Sequence, residues 1–425
     1  MCGTSAFGEE FMKSSLRRVM ACVCAAGLFC FTGCAGLPNE GEGRGTEKRE
    51  ELVLWTYYET EMQRTTMDDL TAGFNKSQDQ YHLTWEYHGP VTEFNKRLAI
   101  GMTQNQLPDM VILDNPDMSS YVKMGKLEDI TDAVNTIEDL DQYFPSSMES
   151  VEYGGRYYGL PFCCNNVALI YNKDMLKEAG VNVPETWEEL RAAAEKLTVP
   201  GRYGFAMSAI SGEQGAFQFG TYMLSAGDDL EQAGGEGTLK AFRFIQDMAE
   251  EGLMSRDCVN WSQNDVARTF IAGKCAMMEN GPWVFPELDE SGINYGIAAF
   301  PSDQRAMGLL GGEDIAVLKG KNVEGSIAFL KYYSQIDIML NANLRANSLP
   351  PRQDVAQLFL KAKPEYKVIL SQMEHCISRA AYTGWSKLSP LLSDGQYRII
   401  TGESTPQEVC TEIRQNMGGE KDITD

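Results

Sequence analysis

Short apolar runs alternate with amphipathic segments along the chain from residue 52 onward. The runs at 52–58, 82–88 and 110–113 have the apolar, β-branched and aromatic content of strands, and the segments between them have the spacing of helices with one apolar face. Strand–helix–strand–helix–strand is the order of an α/β unit. A second series of the same kind extends from 167 to 300. The pattern therefore predicts an α/β protein with two such regions.

The segment 153–197 connects these two regions. A mostly apolar run at 167–171 is followed by a short helical segment that Gly180 ends, since glycine commonly takes the left-handed position after a helix. Thr186 and Glu189 then have the spacing of a capping box at the start of a second helix. A strand, a loop and two capped helices are typical of a chain entering a new α/β unit. We therefore interpret the segment as a hinge with a ligand site beside it.

The last part of the pattern predicts a mainly helical C-terminal region. Glycines within 308–312 predict a turn before a short strand at 315–317, and the stretch 348–351 marks a boundary. The helices predicted beyond that boundary are 366–376, 387–400 and 405–415.

Length and charge limit the possible classes of function. The chain has 425 residues, of which 43% are hydrophobic and 23% are charged, and these values suit a globular protein with room for two domains. Its formal net charge of -23 argues against nucleic acid or an anionic membrane surface as the main partner. We therefore expect no nucleic-acid partner.

The first residues have the layout of a signal peptide. A basic stretch, 13–18, precedes an apolar segment, 19–32, that is too short to span a bilayer. We therefore assign residues 1–33 to a signal peptide. The following stretch, 34–51, has almost no apolar content and predicts a flexible tether.

The end of the signal segment has a characteristic sequence. Phe31-Thr32-Gly33-Cys34 resembles the lipobox of bacterial lipoproteins, with Phe31 where leucine is usual. In those proteins the cysteine becomes the lipidated first residue. The resemblance therefore implies a lipid such as palmitate on Cys34 and a protein anchored at the cell membrane. A conventionally cleaved or uncleaved signal is the alternative.

Few residues are available for metal or nucleophilic chemistry. The three histidines form no HExxH motif, and the sequence contains no GxSxG motif and no P-loop. We therefore predict no metal site, no cofactor and no catalytic residue. The cysteines that follow the tether form no CxxC motif, so we expect buried thiols, with disulfides as the alternative. They are Cys163, Cys164, Cys258, Cys275, Cys376 and Cys410.

Blocks of sequence with a shared character follow in order behind this N-terminus. The most specific block contains Tyr157-Tyr158-Gly159-Leu160-Pro161, Tyr171-Asn172-Lys173-Asp174 and Thr186-Trp187-Glu188-Glu189-Leu190. The others are Leu107-Pro108-Asp109 with Gly125-Lys126-Leu127; Phe270, Gly273 and Ala276-Met277 with the turn Asn280-Gly281-Pro282-Trp283; Ser348-Leu349-Pro350 with Arg352; and Thr401-Gly402-Glu403. Together they resemble the extracellular solute-binding proteins of ABC importers, in particular the sugar-binding, maltose-binding-like lipoproteins.

This resemblance implies an α/β, two-lobed periplasmic-binding-protein fold of the type II-like arrangement. Its ligand cleft would lie between lobes joined by a hinge that the chain crosses more than once. The crossings would fall near 162–167, 295–301 and 341–349. The N-lobe would comprise residues 52–164 and 300–345, and the C-lobe residues 165–295 and 346–425.

A sugar-binding cleft needs carboxylates and amides, which bind hydroxyl groups, and aromatic rings, on which the C–H faces of the sugar pack. In α/β sheets, ligand-binding residues are expected just beyond the carboxyl ends of strands. The candidates are Tyr57, Tyr58, Glu59, Asp114 and Asn115 after strands, Asn165 in the hinge, and Glu313 in the glycine-marked turn. The resemblance adds Trp283 and Trp385 as sugar-stacking residues. Each candidate has a plainer alternative as a turn, cap, hinge or surface residue.

The resemblance implies a binding protein without catalytic activity, which captures a sugar or oligosaccharide and passes it to the transmembrane subunits of an ABC permease. We expect a monomer located outside the cytoplasm. One alternative is the same fold with a phosphorylated or other anionic ligand, held by arginines such as Arg156, Arg305 or Arg379. A secreted carbohydrate-active enzyme is a further alternative, since aspartates and glutamates are plentiful.

Overall fold

The computed structural model describes residues 48–104 and 106–418. The predicted signal peptide, Cys34 and almost all of the tether lie outside these described residues. The strands are β1 (Glu50–Thr56), β2 (Tyr81–Tyr87), β3 (Met110–Asp114), β4 (Glu152–Tyr153), β5 (Arg156–Tyr157), β6 (Gly159–Asn165), β7 (Ala168–Asn172), β8 (Tyr203–Ala206), β9 (Cys275–Asn280), β10 (Tyr295–Ala298), β11 (Gly308–Val317) and β12 (Cys376–Ser378).

The helices account for most of the remaining chain. They are α1 (Glu61–Ser77), α2 (Val91–Gln104), α3 (Met118–Lys123), α4 (Thr131–Val134), α5 (Pro145–Val151), α6 (Lys173–Ala179), α7 (Trp187–Leu197), α8 (Glu213–Ser225), α9 (Glu236–Glu250), α10 (Gln263–Ile271), α11 (Phe285–Ser291), α12 (Val323–Tyr333), α13 (Ile336–Ala346), α14 (Gln353–Ala362), α15 (Lys367–Ser371), α16 (Trp385–Thr401) and α17 (Pro406–Met417).

Two mixed sheets organise the fold. The first has the order β12-β11-β3-β1-β2, and β6 also pairs with β11. Within it, β1 is parallel to β2 and β3, whereas β11 is antiparallel to β3 and β6. The second sheet has the order β10-β7-β9-β8. The chain thus leaves the first sheet after β6, enters the second at β7, and returns between β10 and β11.

Each sheet has its own apolar packing. Leu52, Phe74 and Phe329 belong to a core around the first sheet. The second sheet is covered on one side by a core that includes Trp187 and Phe242, and on the other by one that includes Phe270, Phe285 and Ile369. The lobe limits derived from the sequence stay a prediction, and β12, within the stretch assigned to the C-lobe, pairs with the first sheet.

Helix ends follow the local signals. Thr186 accepts a hydrogen bond from the Glu189 amide, and the Glu189 side chain accepts from the Thr186 amide, so the predicted capping box is confirmed. Gly180 ends α6 with φ of 62°, the left-handed conformation expected of it. A second capping box, between Thr60 and Gln63, begins α1.

Two predictions about the C-terminal half are wrong. The glycines within 308–312 do not form a turn, because they lie inside the continuous strand β11. Here Gly312, at φ of 127°, approaches β6 so closely that a Cβ atom would lie 2.1 Å from the Cys163 carbonyl oxygen. The single helix predicted over 366–376 is broken, because Cys376 pairs with Gly308 at the edge of the first sheet. Tertiary strand pairing overrides the local pattern in both places.

The six cysteines of the described chain are free and buried, as expected. Among the residues that the structure covers, no helix is long and apolar enough to cross a bilayer.

Candidate functional site

Four of the predicted site residues lie together at one end of the first sheet. Tyr57 follows β1, Asp114 ends β3 and Asn165 ends β6. The antiparallel register places Glu313 of β11 opposite Asp114, and Gly311 opposite Asn165. The register shifts between Glu313 and Asp314, and such a β-bulge redirects side chains at the edge of a site.

Glu313 is held by two donors. The Tyr57 hydroxyl donates to Oε1 at 3.1 Å, and the Cys163 thiol donates to Oε2 at 2.7 Å. Burial raises the pKa of Glu313, while these hydrogen bonds act in the opposite direction. Burial also raises the pKa of Tyr57 well above its usual value. At neutral pH Tyr57 is therefore a neutral donor with its hydroxyl fixed towards the carboxylate.

A buried arginine lies beside this group. Arg379 follows β12 and is only 3% exposed. Its Nη2 donates to Asp114 Oδ1 at 3.1 Å, its Nε to Asn115 Oδ1 at 3.4 Å, and its Nη1 to Glu213 Oε1 at 2.6 Å. The guanidinium carbon lies 4.4 Å from the ring centroid of Phe217, a cation–π contact. Arg379 thus joins the end of β3 to the start of α8.

Glu213 is shared among several donors. Besides Arg379, it accepts hydrogen bonds from Trp385 Nε1 at 3.0 Å and from the Ser389 hydroxyl at 2.6 Å. Trp385, at 2% exposure, is therefore packed into the cluster with its N–H group occupied. It borders the site without presenting an open ring face.

Trp283 also lies near Phe217. It follows β9, and its ring centroid is 6.4 Å from that of Phe217. A Cβ atom on Gly281 would lie 2.1 Å from the indole, so the absence of a side chain there makes room for the ring. The Trp283 Nε1–H group is buried and donates to no acceptor in the described part of the chain. Trp283 is the half-buried aromatic residue at this cluster with an unused donor.

The electrostatic character of the cluster is acidic. Burial raises the pKa of Asp114 well above its usual value, although Arg379 opposes the shift. Burial also raises the pKa of Asp117 to about 6, with Glu213 as the next contributor. These carboxylates therefore share the charge of Arg379 in a poorly solvated environment.

The structure brings most of the predicted residues together, but not all. Tyr58 is a core residue at 2% exposure, with its hydroxyl 3.7 Å from the Cys163 sulfur. Glu59 is exposed and accepts a hydrogen bond from the Tyr87 hydroxyl at 3.4 Å, away from Arg379. Arg379 and Glu213 connect Asp114, Asn115 and Trp385, and Phe217 lies between Arg379 and Trp283. Tyr57 joins the group through Glu313, which lies opposite Asp114, and Asn165 lies opposite Gly311 on the same strand as Glu313.

Glu213 and Phe217 are not among the candidates that the sequence predicts. The one local signal is Gly212, an exposed glycine at φ of 110° that directly precedes the acidic first residue of α8. Arg379 was predicted only as one of the arginines that could hold an anionic ligand.

A separate cavity lies elsewhere in the described chain. It has a volume of about 640 Å³ and lies between α1 and α13, with Thr66, Asp69, Tyr332, Asn341 and Arg345 among its lining residues. We nevertheless assign the site to the cluster around Arg379, because side chains from both sheets' regions converge there and burial raises the pKa values of Tyr57, Asp114 and Glu313. Among the described residues no group of three or more side chains could hold a metal ion.

The chain matches a known family of protein sequences. The profile of the family described as bacterial extracellular solute-binding protein matches residues 69–368. The chain belongs to this family. Members of the family of bacterial extracellular solute-binding proteins act outside the cytoplasm, which confirms the predicted location at that level.

Named relatives of this solute-binding protein differ in ligand. A galactooligosaccharide-binding protein of Bacillus subtilis (strain 168) is 25% identical over 301 residues, 68% of this chain and 69% of that protein. The sn-glycerol-3-phosphate-binding periplasmic protein UgpB of Brucella abortus (strain 2308) is 25% identical over 327 residues, 70% of this chain and 74% of that protein.

A solved structure gives the same fold. A solute-binding protein of an ABC transporter from Thermotoga lettingae, with bound α-D-tagatose, has a TM-score of 0.77 at 23% identity. The match covers 87% of this chain and 98% of that one. The predicted two-lobed α/β periplasmic-binding-protein fold is therefore confirmed.

Proposed function

We propose that this solute-binding protein captures a sugar or oligosaccharide between its lobes and delivers it to an ABC permease. The observation that carries the proposal is the convergence of Tyr57, Asp114 and Glu313 from the first sheet on Trp283 and Phe217 from the region of the second. Carboxylates and a phenol suit sugar hydroxyl groups, and aromatic rings suit the C–H faces of the sugar.

Delivery would depend on closure of the two lobes around the ligand. A ligand shifts such an equilibrium only as far as it binds one conformation better than the other. Residues on both sides of the cleft, such as Glu313 and Trp283, provide that difference, because only the closed form would let one sugar contact both. We propose that the permease binds this closed form.

We propose binding without turnover. The support is that the matching family is described as solute-binding and that relatives such as the galactooligosaccharide-binding protein of Bacillus subtilis are named for binding. Incubating the purified protein with maltotriose and galactotriose and measuring new reducing ends tests this point. Hydrolysis that persists after repurification and vanishes in Glu313→Gln would replace the binding proposal with an enzyme.

We also propose that Cys34 carries a lipid and tethers the protein to the cell membrane. The support is the sequence 31–34 behind a basic and apolar segment. In a bacterial host, Cys34→Ser should move the protein from the membrane fraction to the soluble extracytoplasmic fraction. An unchanged distribution would refute the anchor.

The ligand class is tested by thermal unfolding with a panel of neutral monosaccharides and oligosaccharides, since a ligand of the native state raises the melting temperature. For a sugar that produces a shift, Trp283→Ala should weaken binding by at least about fivefold, because an aromatic contact of this kind is worth on the order of 1 kcal/mol beyond its buried area. Calorimetric titration measures the change.

The matched control is Trp85→Ala. Trp85 is also partly buried, but it lies on β2 and donates to Asp68 at 2.8 Å. Equal affinity losses in the two variants would show that Trp283 has no specific role.

A further inference from the structure

Arg379 is the cation that an anionic ligand would need in this cluster, and its donors are already in use. Asp114, Asn115 and Glu213 each accept from a different nitrogen of the guanidinium group. The contact with Glu213 is the shortest of the three, at 2.6 Å. Glu213 is therefore the principal counterion of Arg379.

Glu213 is fixed in that position from several directions. The Trp385 indole and the Ser389 hydroxyl donate to the same carboxylate, and both belong to α16. The residue also begins the 13-residue helix α8, where a negative charge is favoured by the helix dipole. The carboxylate cannot turn away from Arg379 without losing these bonds.

We propose that Glu213 determines ligand charge: by neutralising Arg379 it admits uncharged saccharides to the cleft and excludes phosphorylated or carboxylated ones. This inference rests on the proposed function, because it concerns the same cleft. It identifies the substrate class as neutral sugars and names the residue that selects them.

The physical basis is the balance of charge around the guanidinium group. A phosphate or carboxylate is recognised through bidentate, charge-assisted hydrogen bonds, which require free arginine donors. Here an anion would have to displace Glu213 and would then lie near Asp114, Asp117 and Glu313. Like charges placed together in this way cost several kcal/mol and reject the wrong partner.

The family fold by itself does not decide ligand charge. Relatives of this chain include proteins named for binding a galactooligosaccharide and for binding sn-glycerol 3-phosphate, at equal identity of 25%. A side chain in the cleft must therefore make the distinction, and Glu213 has the contacts to do so.

The test is calorimetric titration of the wild type and of Glu213→Gln at low ionic strength. The neutral probes are glucose, maltotriose and galactotriose, and the anionic probes are glucose 6-phosphate and sn-glycerol 3-phosphate. We expect the wild type to bind at least one neutral probe and neither anionic one. Glu213→Gln should gain affinity for an anionic probe by at least about tenfold, since one charge opposing the ligand is removed.

Two control variants make the gain specific. Glu251→Gln removes a carboxylate from the half-exposed ion pair with Arg191 and should bind the anionic probes no better than the wild type. Combining Glu213→Gln with Arg379→Met should abolish the gain, because the released guanidinium group is then absent.

The outcomes separate this inference from the proposed function. Wild-type protein that binds an anionic probe as tightly as its best neutral probe overturns the inference, and this measurement does not depend on how well the variants fold. A folded Glu213→Gln that gains no anionic affinity also overturns it. If no neutral probe binds the wild type while Glu213→Gln still gains anionic affinity, the sugar assignment fails and the role of Glu213 stands.

Discussion

Glu313 on β11 and Glu279 on β9 are carboxylates in the interior strands of the two sheets, yet their surroundings differ. Glu313 is partly exposed and accepts hydrogen bonds from Tyr57 and Cys163. Glu279 is 0% exposed, and its carboxylate oxygens make no hydrogen bond of normal geometry within the described chain, although the Tyr222 hydroxyl is near enough to oppose the rise in its pKa. Burial raises the pKa of both groups, and that of Glu279 well above its usual value.

The different surroundings of Glu313 and Glu279 distinguish the candidate ligand site of the first sheet from the core of the second. The end of the first sheet supplies donors to its carboxylates and leaves them near solvent, so they are available to a ligand. The second sheet buries Glu279 completely beside the Tyr222 hydroxyl, and this burial favours the neutral, protonated carboxyl. In this protein a carboxylate with little exposure therefore indicates a functional site only where hydrogen-bond donors accompany it, as they do for Glu313, Asp114 and Glu213.

The largest effect should come from breaking the charge cluster of the first sheet. Arg379→Met leaves Glu213 and Asp114 without their cation, and loss of one partner of a buried ion pair typically costs roughly 3–5 kcal/mol of unfolding free energy. Urea unfolding measures the loss. Arg191→Met removes a half-exposed partner of Glu251 and should cost no more than about 1 kcal/mol. Similar losses in both variants would show that the cluster is no stronger than a surface pair.

The close approach of β11 to β6 provides the next test. Gly312→Ala would place a Cβ atom 2.1 Å from the Cys163 carbonyl oxygen at a φ of 127°. Backbone strain of this kind costs on the order of 1–3 kcal/mol, and the clash adds to it. Gly320→Ala is the control, since its φ is also positive at 74° but nothing lies within 4 Å. A melting temperature that falls equally in both variants would exclude the clash as the cause.

Replacing Glu279 in the second sheet should change the free energy of unfolding in the opposite direction. At neutral pH, Glu279→Met should raise the unfolding free energy by about 1–3 kcal/mol, the cost of burying an unsatisfied polar group. Because the folded pKa of Glu279 is raised, wild-type stability is fully present below the unfolded pKa and declines as pH increases. The advantage of the variant should therefore shrink towards acidic pH.

The same substitution on the first sheet sharpens the contrast. Glu313→Met removes the acceptor of Tyr57 and Cys163 and should lower the unfolding free energy. If Glu279→Met and Glu313→Met change stability in the same direction, the distinction between the two sheets is wrong.

The smallest effect should come from Asp117, which is partly exposed and bonded to Asn95 Nδ2 at 3.3 Å. Burial raises its pKa to about 6 from the model-compound value of 3.8. Wild-type stability should therefore decline slightly as pH rises from about 4 to 6, where the native carboxyl loses its proton. Asp117→Asn should flatten that part of the profile of melting temperature against pH. An unchanged slope would contradict the assignment.

Local features of the fold were predictable from the sequence. Met67, Leu70 and Phe74 are spaced for one face of a helix, and all three are buried in α1. The caps at Gly180 and Thr186 depend on a few adjacent residues, so their signals are complete in the sequence. The family resemblance supplied the two-lobed arrangement, which periodicity alone does not determine.

The features that the sequence did not predict depend on pairing between distant parts of the chain. The strand character of Cys376 comes from β11, and the Arg379–Glu213 pair joins residues 166 positions apart. No local pattern distinguishes an arginine that is buried beside carboxylates, such as Arg379, from one in an exposed ion pair, such as Arg156 with Asp129. The candidate site was therefore predicted by residue type at strand ends, and its organising cation was not.

The placement of β11 has a consequence for the order in which the protein folds. The second sheet is built from one continuous stretch, β7 to β10, whereas the first needs β11 to join strands made long before it and β12 made after it. Contacts such as Tyr57–Glu313 and Cys163–Glu313 close loops of 256 and 150 residues. Such distant pairing forms slowly, because the entropy of the loop is lost before the contacts stabilise it. A newly made chain can therefore pair the strands of the second sheet while the first sheet still waits for β11 and β12.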